Sequence, residues 1–221
     1  MKTTGIVSTI CFVVTVSLAI LGLSTQFALR APVTYSFHFN DSQSIQKTGH
    51  DVEISEMAGA IGIYLSRPGA GKFQVYEKNG EYRDPVFSRK DQGIMKKFRR
   101  ALNMELAAVL CITALAALLF AFMSREELRE WRFLASVAAI PSAGVMIVIR
   151  GILAGSGPVQ SALYRVFIGI QLGKKDTLYL LMGTGFAKAY EIFSVGAAIV
   201  LLMLFSYGVF RSRLQKKRIF Y

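Results

Sequence analysis

Four long apolar runs divide the sequence and restrict how it can fold. They cover Gly5–Leu29, Met104–Met123, Phe133–Ile149 and Ile192–Phe210. The hydrocarbon core of a bilayer requires about 20 predominantly apolar residues per crossing helix. A soluble domain would instead distribute its apolar residues at regular spacing along helices and strands. The runs therefore predict a multi-pass membrane protein with four transmembrane helices.

The first run has a second interpretation, a cleaved signal peptide, because it follows Lys2 closely. Its apolar stretch exceeds the roughly 7–15 residues of a signal-peptide core, and no clear small-residue cleavage site follows it. We therefore predict an uncleaved span. Cys11 and Cys111 lie inside apolar runs and have no CxxC spacing, so we predict neither a metal site nor a cofactor.

The net charge of +12 favours a membrane partner, and we predict no nucleic-acid partner. Basic residues beside a span are attracted to anionic headgroups, and the sequence has no phosphate-binding or base-stacking motif. Basic residues cluster in the tail Arg211–Arg218 and at Arg125, Arg129 and Arg132. By the positive-inside rule, these clusters predict a cell-membrane protein with both termini in the cytoplasm. The other side carries more Lys and Arg in total, but mostly in one long segment that largely escapes that rule.

That long segment, Arg30–Asn103, predicts a small extracytoplasmic domain. Apolar and polar residues alternate over Val33–Phe39, which predicts a half-buried strand with His38 on its polar side. Helical spacing over Glu53–Leu65 predicts a short amphipathic helix, and Asn79-Gly80 predicts a β-hairpin. The predicted fold class is a mainly α membrane protein. Its four transmembrane helices carry a small α+β domain between helices 1 and 2.

Ser88 begins a helix that we expect to continue into the second span. Ser88 and Asp91 have the spacing of a capping box, in which each side chain accepts a hydrogen bond from the other's backbone amide. Four basic residues precede the apolar run: Lys96, Lys97, Arg99 and Arg100. We predict that they contact lipid headgroups, either as snorkelling anchors or as part of a dedicated site.

Arg150 lies inside an apolar stretch, Val145–Ala154, at the end of the third run. A charged residue at membrane depth marks a functional site by default, and a headgroup anchor is the other interpretation. The next segment, Gly151–Glu191, is too polar for a span and predicts one or two short interfacial helices. The candidate substrate-binding residues are Arg150, Tyr164, Arg165 and Asp176, the last of which also suits a helix cap.

The sequence contains no recognisable motif of a hydrolase, a metalloprotease or a nucleotide-binding protein. His38 and His50 are the only histidines. Each is a candidate proton acceptor because histidine titrates near neutral pH. An isolated surface histidine usually has no catalytic role, so the catalytic residues stay unknown at this level.

Several short motifs follow one another in an informative order: Ile61–Leu65, Phe87–Asp91 followed by Met95, Glu130–Arg132, Tyr164–Phe167 and Asp176–Leu178. This order resembles the bacterial four-span integral membrane family that includes the lipoprotein intramolecular transacylase. The resemblance covers nearly the whole chain. It implies an enzyme that moves an acyl chain from the glyceryl group of a lipoprotein's first cysteine onto the amine of that cysteine.

Two positions depart from that family's pattern. The family has histidines where this chain has Ile94 and Tyr164, and the loop that follows is shortened to Ile168–Lys175. Isoleucine cannot transfer a proton, so the activity does not follow from the resemblance. We therefore predict binding of a membrane lipid or a lipoprotein acyl group at the outer leaflet.

The alternative is a non-catalytic scaffold or accessory subunit with a membrane-protein partner. Small residues that permit close helix contact support it: Ala107, Ala108, Ala114, Ala116, Ala117 and Ala121, with Gly196, Ala197 and Ala198. A transporter is disfavoured because the spans carry almost no charge.

Overall fold

A computed structural model describes residues 2–67, 69, 71–79, 82–125, 128–154, 177–182 and 185–217. Within these ranges the chain forms eight α-helices and one two-stranded sheet. In order they are α1 (Lys2–Arg30), α2 (Pro32–Ser42), α3 (Ser44–Thr48), α4 (Ile54–Ser66), β1 (Tyr76–Asn79), β2 (Tyr82–Pro85), α5 (Arg89–Phe122), α6 (Arg129–Ala154), α7 (Thr177–Met182) and α8 (Phe186–Lys217). Tyr164, Arg165 and Asp176, with the interfacial helix predicted around the first two, lie outside the described residues.

Four of these helices, α1, α5, α6 and α8, are long and apolar enough to cross a membrane. Each contains one of the four apolar runs, and their most apolar windows have mean hydropathies between 1.9 and 2.5. The helix that begins after Ser88 continues into the second span as α5, without interruption. The chain is therefore a mainly α-helical, multi-pass membrane protein, as predicted.

The chain divides into two compact units. The bundle unit comprises Met1–Thr25, Glu105–Ile152 and Val195–Tyr221, and the interspan unit comprises Gln26–Met104 and Leu153–Ser194.

Small residues allow the helices of the bundle unit to pack closely. On α6, alanines recur every fourth residue and are fully buried: Ala135, Ala139 and Ala143. This spacing places them on one face of the helix. On α1, a Cβ at Gly22 would overlap Cγ2 of Val109 on α5. The absence of a side chain at Gly22 is therefore what permits this approach of α1 to α5.

Aromatic and large aliphatic side chains form the core of the interspan unit. Helix α2 packs against α4, and α3 packs against α7. The fully buried large residues include Tyr35, Phe39, Met57, Ile61, Leu65, Met95, Leu102 and Leu181.

The strand predicted over Val33–Phe39 is wrong, because this segment forms α2. Pro32 occupies the first turn of the helix, where its fixed φ is favourable. The buried side chains recur at helical spacing: Thr34, Tyr35, His38 and Phe39. Val33 and Phe37 are exposed. Residue polarity therefore predicted the wrong secondary structure for this segment. Two apolar side chains are exposed, and His38, which was predicted on the polar side of a strand, is buried.

Three local predictions in the interspan unit are confirmed. Helix α4 closely matches the amphipathic segment, and β1 pairs antiparallel with β2 through Asn79 and Tyr82. The capping box forms as expected: the amide of Asp91 donates to Ser88 Oγ at 3.2 Å, and the amide of Ser88 donates to Asp91 Oδ2 at 3.1 Å. Two backbone amides at the start of α5 are therefore satisfied reciprocally.

Candidate functional site

Arg150 is held against α1 inside the bundle unit. Its Nη1 donates to Thr25 Oγ1 at 3.0 Å, to Ser24 Oγ at 3.4 Å and to the carbonyl of Leu21 at 3.5 Å. A guanidinium in an apolar stretch is costly unless it is hydrogen-bonded. These three acceptors reduce that cost and join α6 to α1. Arg150 is thus integrated into the helix packing.

The four basic residues before the second span fall into two groups. Lys96, Lys97 and Arg100 are exposed. Arg99 instead lies over the ring of Tyr64, with its guanidinium carbon 4.7 Å from the ring centroid. Such a cation–π contact orients a guanidinium and contributes to packing between helices. The predicted headgroup contact therefore concerns mainly the three exposed residues, and Arg99 also packs α5 against α4.

A polar network that the sequence did not predict lies at the end of α1. Arg30 donates through Nε to Gln26 Oε1 at 2.9 Å, through Nη2 to Asn103 Oδ1 at 2.9 Å, and through Nη1 to the carbonyl of Leu65. Gln26 donates to the carbonyl of Leu102 at 3.1 Å. The network joins α1, α4 and α5 within the interspan unit. One sequence feature could have indicated this network: a glutamine lies four residues before an arginine at the end of an apolar run.

His38 is a buried, neutral residue, with only 2% of its surface exposed. Its Nε2 lies 2.8 Å from the carbonyl oxygen of Leu181. A carbonyl can only accept, so Nε2 carries the proton and the lone pair is on Nδ1. Burial lowers the pKa of His38, against the opposing effects of the Leu181 hydrogen bond and of Asp41. Packed edge-on against Phe186, the ring has a structural role.

His50 has a different environment. Its Nδ1 lies 2.9 Å from Glu77 Oε2, and the amide of Asp51 donates to Glu77 Oε1 at 2.7 Å. The Asp51 amide, and secondly the His50 ring, lower the pKa of Glu77. The carboxylate must accept, so Nδ1 is protonated and the lone pair of neutral His50 is on Nε2. The His50 side chain is 28% exposed.

A carboxylate that orients an imidazole in this way is the arrangement that general-base catalysis uses. The two residues lie far apart in sequence, and no spacing motif predicted their pairing. The structure thus separates the two candidate bases: His50 has an oriented, partly exposed ring, and His38 does not.

Ile94 occupies the position at which the sequence resemblance implies a histidine. Ile94 is 4% exposed and belongs to the apolar core of the interspan unit, beside Met95. No group of three or more His, Cys, Asp or Glu side chains that could hold a metal ion occurs within the described ranges.

Comparison with known proteins identifies a fold that spans the chain. No family model matches the sequence. No curated protein matches it either. Among solved structures, the membrane-integral lipoprotein intramolecular transacylase Lit from Bacillus cereus matches 99% of this chain and 100% of its own, with a TM-score of 0.64 and 14% sequence identity.

Two variants of the same transacylase give the same result. The variant with histidine replaced by arginine matches over 97% of this chain and 96% of its own, with a TM-score of 0.64 and 16% identity. The variant with histidine replaced by alanine matches over 96% of this chain and 97% of its own, with a TM-score of 0.64 and 16% identity. At such low identity, a TM-score of 0.64 over nearly the whole chain establishes a common fold alone. The chain therefore has the fold of a lipoprotein intramolecular transacylase, which confirms the resemblance predicted from sequence.

Proposed function

We propose that this protein binds the acylated part of a membrane lipid or lipoprotein at the outer leaflet. The observation that carries the proposal is the fold it shares, over 99% of its length, with an enzyme named for acting on lipoproteins. Such a likeness makes a common class of ligand the simplest proposal.

Arg150 is the proposed contact for the polar part of the ligand. The guanidinium presents N–H donors in a planar fork that matches ester and phosphate oxygens. Its bonds to Ser24 and Thr25 restrict the orientations that the side chain adopts. A preoriented donor loses less conformational entropy on binding than a free one. Tyr164, Arg165 and Asp176 remain proposed binding residues from sequence, and the exposed Lys96, Lys97 and Arg100 remain proposed headgroup contacts.

Photocrosslinking tests this proposal directly. The probe is a synthetic lipopeptide with an N-terminal diacylglyceryl cysteine and a photoreactive group in one acyl chain. In membranes that contain the full-length protein, we expect labelling that excess unlabelled lipopeptide competes away and the non-acylated peptide does not. Arg150→Gln is expected to reduce labelling about tenfold, the effect of one charge-assisted hydrogen bond. Arg211→Gln, which changes an exposed arginine on α8, is the matched control.

Three outcomes would contradict the proposal. Labelling that the unlabelled lipopeptide does not reduce would mean that the probe only samples the lipid surface. An equal loss in the Arg150 and Arg211 variants would mean that net charge, rather than a site, attracts the probe. Absence of specific labelling together with co-purification of a stable membrane partner would favour the scaffold alternative.

The His50–Glu77 pair favours acyl transfer as a second candidate function. In this reaction the cysteine amine attacks the ester carbonyl carbon and gives its proton to His50 Nε2. The bond from that carbon to the glyceryl oxygen then breaks, and the departing oxygen takes the proton. Glu77 would stabilise the imidazolium that exists between these steps. All reacting groups come from the substrate, so the protein has to supply only the base and a site.

The lyso-form lipoprotein in cells that express the protein measures this activity. We expect its formation to fall about 100-fold or more in His50→Gln, the usual contribution of a general base. His38→Gln serves as the matched control and should leave the activity within about twofold of wild type, since the His38 ring is buried. Specific crosslinking without lyso-form product would retain the binding function and exclude the transfer.

A further inference from the structure

A cavity of about 1100 Å³ lies in the bundle unit, formed by the start of α6 and the second half of α8. Its apolar wall includes Phe120, Leu204, Phe205 and Val209. Arg129, Glu130 and Arg132 form its charged part. An apolar cleft with a few convergent polar groups is the usual form of a binding site. The proposed function makes no use of this cavity.

Two arginines line the cavity, and no described acidic side chain forms a salt bridge with either of them. Arg132 donates through Nη1 to Ser124 Oγ at 2.8 Å and lies over the ring of Phe120, 5.1 Å from its centroid. Within the described residues, neither Arg132 nor Arg129 forms a salt bridge, although Glu130 lines the same cavity. A guanidinium has five N–H donors. Among the described residues, most of these donors have no acidic partner, and the cavity lining there contains two arginines and one acid.

The start of α6 is held firmly in place. Trp131 packs against α1 at Gly5, where an added Cβ would lie 2.7 Å from the indole ring. This contact positions the turn that carries Arg129 and Arg132. Cations near the N-terminus of a helix interact unfavourably with its dipole. Two arginines in this turn therefore carry an electrostatic cost, which Glu130 of the same turn offsets in part and a bound anion would offset further.

From these observations we infer that the cavity binds one anionic phospholipid from the leaflet that borders the loop between α5 and α6. Arg129 and Arg132 bind the phosphate, and one acyl chain lies along Leu204, Phe205 and Val209. A membrane lipid is the occupant because the apolar wall lies on helices that cross the bilayer and the charged part lies at a helix end. The site belongs to the bundle unit alone and does not rest on the proposed function.

Native mass spectrometry of the full-length protein in a neutral detergent tests the inference. The protein is mixed with equal amounts of dioleoylphosphatidylglycerol, which is anionic, and dioleoylphosphatidylcholine, which is zwitterionic. We expect one retained molecule, with phosphatidylglycerol preferred about tenfold, as two basic contacts opposed by one acid would give. Arg129→Gln/Arg132→Gln should abolish this preference. Arg67→Gln/Lys72→Gln removes the same charge from exposed positions of the interspan unit and should preserve it.

Gly208→Leu tests the apolar half of the site without changing charge. Gly208 lines the cavity, and a Cβ there would meet no atom within 4 Å. The new side chain would therefore occupy the cleft, and we expect retention of both lipids to fall at least about fivefold, as loss of acyl-chain contact predicts. If the double arginine variant does not purify as a folded protein, Arg129→Gln alone replaces it, since Arg129 is exposed.

Three results would overturn the inference. Equal retention of the two lipids by wild type would mean that no anion site exists. An equal loss in the Arg67/Lys72 variant would assign the preference to diffuse charge. Unchanged retention in Gly208→Leu would place the lipid elsewhere. None of these results depends on binding of the lipopeptide at Arg150, so this inference and the proposed function fail independently.

Discussion

The two units of this protein are stabilised by different interactions. In the bundle unit the close contacts are made by small residues, such as Gly22 against Val109 and the buried alanines of α6. In the bundle unit Arg150 also joins α6 to α1 through hydrogen bonds, one of them to the carbonyl of Leu21. In the interspan unit, hydrogen bonds from side chains to distant backbone carbonyls join several elements. Arg30 bonds to Leu65 and His38 bonds to Leu181.

The difference follows from where each unit buries its polar groups. A helix in a membrane satisfies its own backbone, so neighbouring helices associate mainly through shape. Short helices and loops leave carbonyl groups at their ends, and these need partners from elsewhere in the chain. We therefore expect the interspan unit to be sensitive to loss of donors, and the bundle unit to be sensitive to added volume.

Arg30→Ala is the strongest test of this comparison. The substitution removes the three bonds to Gln26, Leu65 and Asn103. We expect it to lower the free energy of unfolding by about 3 kcal/mol, because charge-assisted hydrogen bonds contribute roughly 1.5–3 kcal/mol each and are not additive. The measurement is the apparent Tm of the purified protein in detergent, read as the fraction that stays monodisperse after heating. Arg67→Ala, at an exposed position, should change the apparent Tm little.

Gly22→Ala tests the bundle unit by adding one carbon atom, whereas Arg30→Ala removes hydrogen-bond donors from the interspan unit. The new Cβ overlaps Val109, and we expect a loss of about 1–2 kcal/mol, typical of overpacking. The apparent Tm measured as above reports it. Gly196→Ala is the matched control, since its Cβ would meet no atom within 4 Å. The double variant Gly22→Ala/Val109→Ala should recover stability. A loss that Val109→Ala does not relieve would contradict the account of close packing.

The same contrast explains what the sequence could predict. Hydropathy located all four spans, because a run of apolar residues long enough to cross a bilayer has few other uses. Local motifs were also predicted correctly where one short segment contains all the residues that interact. The capping box of Ser88 and Asp91 and the β-hairpin are formed by neighbouring residues.

The predictions for individual polar residues were wrong where the residue is buried and its hydrogen-bond partner is distant in sequence. The side chains of Thr34 and His38 point into the core of the interspan unit, so residue type gave the wrong period for α2. His38 is buried beside Leu181, and Glu77 orients His50. Neither pairing has a spacing that a single sequence reveals. The membrane context was therefore predictable from the sequence, and the histidine pairings were not. The role of Arg150 as a ligand contact stays a prediction.

The smallest expected effect concerns His38 and the pH dependence of stability. Burial lowers the pKa of His38 in the folded state, with Asp41 raising and Lys47 lowering it. An unfolded histidine has a pKa of about 6.5, so below this pH the unfolded state binds the proton first and is favoured. Stability is therefore fully present above about pH 6.5 and decreases as the pH falls toward the folded-state pKa.

His38→Gln should retain the bond to the Leu181 carbonyl through its amide N–H while removing the titration. We expect the apparent Tm of wild type to fall more steeply between about pH 7.5 and 5.5 than that of His38→Gln. Parallel curves for wild type and His38→Gln would show that His38 is not held neutral by burial. The sensitivity of the interspan unit to loss of hydrogen-bond donors would then come from Arg30 and its partners, without a contribution from His38.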